Sequence, residues 1–286
     1  MVEADFKNTA ILGVGLIGGS LAMGLKRCGL SERVVGYGRT VKNLETARSL
    51  GFIDAYSLDP GQVVEGADLV VLATPVGAFP FLIEQIKGHL KAGAVVIDVG
   101  SVKGEVIRDV ESKLPEGVFF VSTHPVAGSE KSGVEAADPG LFRDGLCIIT
   151  PTEKTSGRVM RRVADLWEKL GMRISLMSPE EHDRVMAGVS HFPHLLAYLL
   201  VDAVAGDEPE VLLFSGGGFR DTTRVAESSP GMWSEIMMIN KANLLDLIDR
   251  FRRELDEVEE CLRYAEQDRL QNLFKKAVDL RMRLER

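Results

Sequence analysis

Thr9-Ala10-Ile11-Leu12-Gly13-Val14-Gly15-Leu16-Ile17-Gly18-Gly19-Ser20-Leu21-Ala22-Met23-Gly24-Leu25 is the stretch on which the fold turns. An apolar run leads into three glycines spaced G-x-G-x-x-G, and an amphipathic segment follows. In that strand-turn-helix context the pattern is a dinucleotide fingerprint rather than a bare match. Gly13 permits the tight turn, Gly15 lets backbone approach a pyrophosphate, and Gly18 lets helix pack close to strand. Leu16 and Ile17 open the helix, whose free N–H groups favour phosphate.

Working outward, residues 9–177 alternate short apolar, β-branched runs with amphipathic stretches. Seven runs read as strands: 9–14, 33–38, 68–74, 94–99, 118–123, 146–150 and 173–177. Several are apolar at nearly every position, as strands covered on both faces must be. The expectation is an α/β fold, a Rossmann-type doubly wound and mostly parallel sheet. From Ser178 the strand signals stop. Ser178-Pro179-Glu180-Glu181 combines an N-cap serine, proline at the first helical position and a glutamate three after the cap. Two domains are expected: 1–177, dinucleotide-binding, and 178–286, an all-α substrate and dimerisation domain. Leu244, Leu247, Phe251, Leu255, Val258 and Leu262 fall at helical spacing, a stripe suited to burial against a second copy.

Composition narrows the class. A net charge of −8 argues against a nucleic-acid footprint, and an anionic substrate then needs specific local cations. Cys28, Cys147 and Cys261 are odd in number and far apart, which suits reduced thiols in a cytoplasm. The N-terminus is polar and acidic, unlike an export signal. The apolar stretch 195–204 is short of a bilayer span, so no membrane partner is expected.

The cofactor site is read further from strand ends. Where NAD-binding sheets place a ribose-binding carboxylate, this chain has Gly38 followed by Arg39. A guanidinium there suits a 2′-phosphate, so NADP is favoured over NAD, although Arg39 stacking on adenine serves NAD as well. Thr74 ends the third strand and is expected to line the cofactor. Gly100 and Ser101 end the fourth.

His124 follows an apolar strand in Ser122-Thr123-His124-Pro125. By itself such a histidine is more often structural. The blocks DVGSVKG (98–104), STHPVAGSEKSGVEAADPGLFRDG (122–145), SHFPHLLA (190–197) and GGGFRDTTRVAESSPGMW (216–233) stand in order along the chain. With the phosphate fingerprint ahead of them, they resemble the prephenate and arogenate dehydrogenases of tyrosine synthesis over essentially the whole chain. The resemblance implies oxidative decarboxylation of a cyclohexadiene, with hydride passing to nicotinamide. It implies that His124 is the general base and that Ser101 lies between it and the nicotinamide. Arg224 would grip the substrate carboxylate, and Ser190, His194, Gly217 and Trp233 would line the pocket.

Other readings accompany it. Gly216-Gly217-Gly218 reads as a flexible loop. Trp233 reads equally as helix core. Pro193 should bend the helix that carries Ser190 and His194. Arg220 is expected to pair with Asp221 or a neighbouring carboxylate. His182, His191 and His194 lack a completing Cys or carboxylate, so no metal is expected. Prephenate is favoured over arogenate, and protonated His194 would suit the keto acid. No regulatory domain is recognisable. A hydroxyacid-type dehydrogenase would want a lysine in the helical domain, where Lys241 lacks the expected flanks. A non-catalytic nicotinamide-sensing dimer would not need His124, Ser101 and Arg224 together.

Overall fold

In the computed structural model, residues 6–128 and 133–285 are described. Residues 129–132 of the His124 block lie outside them. Strand β1 (Phe6–Leu12) runs into helix α1 (Leu16–Arg27), then β2 (Ser31–Tyr37), α2 (Val41–Ser49), β3 (Ala55–Ser57), α3 (Pro60–Val64) and β4 (Leu69–Leu72). There follow α4 (Phe79–Ile86), β5 (Val95–Asp98), α5 (Gly104–Glu111), β6 (Phe119–Val126), β7 (Leu146–Ile149), α6 (Gly157–Lys169) and β8 (Arg173–Leu176). The eight strands form one sheet in the order β3-β2-β1-β4-β5-β6-β7-β8. All neighbours are parallel except β6 and β7. Seven strands match the sequence reading. β3 was not among them: Ala-Tyr-Ser is too short and too little apolar to signal, and pairing with β2 alone makes it a strand.

Alternate side chains along each strand feed opposite layers. Ile11, Val34, Val71, Ile97 and Val121 pack with Leu21 and Leu25 of α1, Leu44 of α2 and Trp167 of α6. Ala10, Leu12, Val70, Leu72 and Val96 pack with Phe79 and Ile83 of α4 and Ile107 and Val110 of α5. Strand order reverses direction at β1 and β4, which opens a crevice above their carboxyl ends.

After β8 come α7 (Pro179–Met186), a π-helical turn (Ala187–His191), α8 (Phe192–Ala205), α9 (Gly217–Thr223) and α10 (Pro230–Ile239). Ser178 caps α7 as expected, its hydroxyl accepting from Glu181 N at 3.1 Å. The irregularity tied to Pro193 lies just before it. Pro193 has no N–H for the preceding turn, and the chain widens there into the π turn. Trp233 and Ile236 of α10 join the core beneath the sheet, so residues to Asn240 pack as one compact unit. The last strand, β8, ends at Leu176, and the packing unit continues to Asn240. The helical run Pro179–Ala205 is long and apolar enough by length and composition to cross a membrane, which the short stretch 195–204 did not suggest. It nonetheless carries His182, Asp183 and His191, buried polar groups bonded to the rest of this unit.

From Lys241 a second unit holds α11 (Lys241–Arg263) and α12 (Gln267–Arg281). Leu255, Leu262, Phe274 and Val278 on these helices are exposed.

Candidate functional site

The turn after β1 is built as its glycines require. Gly13 has φ +113°, and a Cβ there would lie 2.5 Å from the Ala73 carbonyl oxygen. A Cβ on Gly18 would lie 2.1 Å from the Gly13 oxygen, so α1 crosses β1 at backbone contact. A Cβ on Gly15 meets nothing within 4 Å, and its surroundings stay open beside the first turn of α1, where Leu16 and Ile17 sit. Thr74 Oγ1, just past β4, is buried with no hydrogen-bond partner. These features fit a dinucleotide: α1 would hold its diphosphate and Thr74 would line it. A Cβ on Gly38 would lie 3.3 Å from the Leu44 side chain, and Arg39 beside it is exposed.

The carboxyl end of β5 places Asp98, Gly100, Ser101 and Lys103 beside β6, which carries His124. Lys103 is fully buried and pairs with Asp98 at 2.5 Å, while its Nζ also donates to the Thr123 carbonyl at 2.6 Å. Asp98 further accepts from the amides of Gly100 and Thr123. A buried pair of this kind holds because both carboxylate oxygens and the ammonium are hydrogen-bonded. His124 is 6% exposed. Burial, reinforced by the charge on Lys103, keeps its pKa well below the usual histidine value, so the ring is neutral.

The orienting partner of His124 is His182. Its Nε2 lies 2.8 Å from His124 Nδ1, and its Nδ1 lies 2.9 Å from Asp183 Oδ1. Both nitrogens of His182 are thereby committed. Among the described residues the half-buried Ser101 hydroxyl makes no hydrogen bond to the His124 ring. Asn240 donates to the Asp183 carbonyl at 2.7 Å and contacts His191 Nδ1 at 3.0 Å. Burial pushes His191 down to about 4.

His194 donates from Nδ1 to the Ser190 carbonyl at 2.9 Å, one helical turn apart. Its ring stacks on Trp233 with centroids 3.5 Å apart, and burial lowers its pKa, with Arg224 adding in the same direction. His194 is therefore neutral, which removes the charge expected to select the keto acid. Trp233 is a core residue and also stacks on His194. Arg224 is exposed, one residue past the end of α9.

Two expectations are corrected. Gly217 and Gly218 stand in the first turn of α9, not in a loop, because first-turn N–H groups need no helical partner and glycine there is tolerated. Arg220 is exposed and makes no ion pair with Asp221 among the described residues, since adjacent helical residues point apart. Lys103, Asp98, His182, Asp183 and Asn240 went unread as functional. Their signal was faint: a lone lysine among glycines, and a His-Asp pair opening a helix.

A diphosphate cradle and a neutral, oriented histidine at one sheet edge define a nicotinamide dinucleotide-dependent dehydrogenase. Residues 21–176 match the prephenate dehydrogenase nucleotide-binding domain, and residues 178–276 match the prephenate dehydrogenase dimerization domain. The chain belongs to the prephenate dehydrogenase family. It is 37% identical to the cyclohexadienyl dehydrogenase of Zymomonas mobilis over 98% of this chain and 96% of that protein. It is 38% identical to the prephenate dehydrogenase of Bacillus subtilis, covering 95% of this chain and 74% of that one. The crystal structure of Aquifex aeolicus prephenate dehydrogenase in complex with hydroxyphenyl propionate and NAD+ superposes with TM-score 0.88 at 36% identity, covering 97% and 98% of the two chains.

Proposed function

We propose that the chain catalyses oxidative decarboxylation of prephenate to 4-hydroxyphenylpyruvate in tyrosine biosynthesis, with His124 as the general base. The observation that carries this reading is His124 itself: neutral, buried at the end of β6, and bonded through Nδ1 to a second histidine. A neutral imidazole takes the hydroxyl proton of the carbinol as hydride departs. When bound, the nicotinamide accepts that hydride, and loss of the ring carboxylate as carbon dioxide leaves an aromatic product.

The other assignments follow the same reading. Gly13, Gly15, Leu16, Ile17, Gly18 and Thr74 would hold the dinucleotide, and Ser101 would lie between nicotinamide and His124. Arg224 grips a substrate carboxylate bidentately. Ser190, His194, Gly217 and Trp233 line the substrate pocket. The functional boundary falls at residue 177, between nucleotide-binding residues 1–177 and substrate and dimerisation residues 178–286. The exposed stripes of α11 and α12 support a homodimer, and the free cysteines fit a cytoplasmic setting. Gly38 and the exposed Arg39 favour NADP, whereas the Aquifex aeolicus relative was solved with NAD+.

Arogenate is the second reading, because neutral His194 offers no charge to distinguish the keto from the amino acid. Initial rates of nicotinamide reduction, crossing both substrates with both cofactors, test all of these. Turnover of prephenate supports the main reading. Turnover of arogenate alone moves the substrate, and silence with every combination overturns the enzyme assignment.

A further inference from the structure

Asp183 collects three donors: the amides of Lys103 and Gly104 at 2.8 Å each, and His182 Nδ1 at 2.9 Å. Burial raises its pKa, yet the hydrogen bonds from His182, Gly104 and Lys103 outweigh burial and leave it below the ordinary carboxylate value. An ionised carboxylate only accepts, so His182 carries its proton on Nδ1. His182 is itself held neutral by burial, and its Nε2 therefore presents a lone pair. The contact of 2.8 Å between that atom and His124 Nδ1 requires a proton on His124 Nδ1. The basic lone pair of His124 is then confined to Nε2.

We infer that Asp183 and His182 are positioning residues that hold His124 in its Nδ1–H tautomer and share the positive charge it gains. The inference rests on His124 being the base. In the reaction the substrate O–H bond breaks and an N–H bond forms at Nε2, while the hydride pair goes to the nicotinamide. No electrons pass through the relay. The charge arriving on His124 is opposed by burial and by Lys103 at close range. Hydrogen bonds running through His182 to the Asp183 carboxylate supply the compensating anion.

Two measurements separate this from a purely structural role for Asp183 at the start of α5. Long-range proton–nitrogen NMR of the ligand-free protein reads the tautomer of His124 directly. Wild type is expected to show the proton on Nδ1, and Asp183→Asn a mixture. In steady-state kinetics Asp183→Asn and His182→Ala are expected to lower kcat by about 100-fold, with KM held within about threefold. The acidic limb of the Asp183→Asn kcat profile moves to lower pH, because losing an anion makes the imidazolium less stable. His182→Gln, whose amide oxygen still accepts from His124 Nδ1, should recover about 10-fold over His182→Ala. If Asp183→Asn does not fold, the two His182 variants carry the test, since His182 does not bond the α5 amides. A wild-type proton on Nε2 overturns the relay, and so does wild-type-like kcat in both His182 variants. If the wild type fails to turn over prephenate, the proposed function fails, and the NMR assignment still judges the relay alone.

Discussion

His124 and Arg224 divide the work expected of individual side chains. If His124 is the base, as proposed, His124→Asn removes it and keeps the volume, so kcat should fall by about 100-fold to 10,000-fold with little change in KM. Because burial lowers the His124 pKa, its neutral form persists as pH drops past the ordinary value. The acidic limb of the kcat profile should therefore lie below pH 6.5, with activity lost as pH falls through the folded pKa. A limb above that value would contradict the assignment. Arg224→Ala should chiefly raise KM for the substrate anion, by about 10-fold or more, for loss of a bidentate charged pair. Reversal of these two effects would exchange the roles.

Between β1 and α1, two glycines three residues apart should respond in opposite ways. At Gly18 an added Cβ collides with backbone, so Gly18→Ala should cost stability by about 1–3 kcal/mol, read by denaturant unfolding. At Gly15 the same Cβ meets open space. Gly15→Ala should fold normally and bind nicotinamide dinucleotide more weakly, read by fluorescence titration. On the far side of the sheet, the turn from β5 to α5 is anchored by the buried Lys103–Asp98 pair. Lys103→Met strands the Asp98 carboxylate and should destabilise by about 3–5 kcal/mol.

Across the whole molecule, the buried histidines make folding sensitive to acid. His191 is held at about 4 against an ordinary 6.5, so between those values the unfolded chain binds a proton that the folded chain refuses. Its contribution is complete above pH 6.5 and is lost as pH falls towards 4, amounting to about 3 kcal/mol. His124 and His182 act in the same direction. Unfolding midpoints measured from neutral to acidic pH should drop steeply across this window. A flat profile would show that these rings are not held neutral. The exposed apolar residues of α11 and α12 predict a sedimentation mass about twice that of one 31.3 kDa chain.

Much of this architecture was legible in residue order. The glycine spacing, the uninterrupted apolar strands and the Ser178 cap are local signals, and local geometry is what a short stretch of chain can encode. Those signals were enough for seven strands of the sheet, for the glycine turn after β1 and for the cap of α7. What they could not reveal is which distant groups share protons. Nothing near Lys103 in the chain shows that it is buried against Asp98, and His182 reads as one histidine of a helix until Asp183 and His124 meet its two nitrogens. Burial and hydrogen-bond partnership are properties of the packed chain. Only the tertiary structure could therefore decide that His124 is buried and which of its nitrogens meets His182.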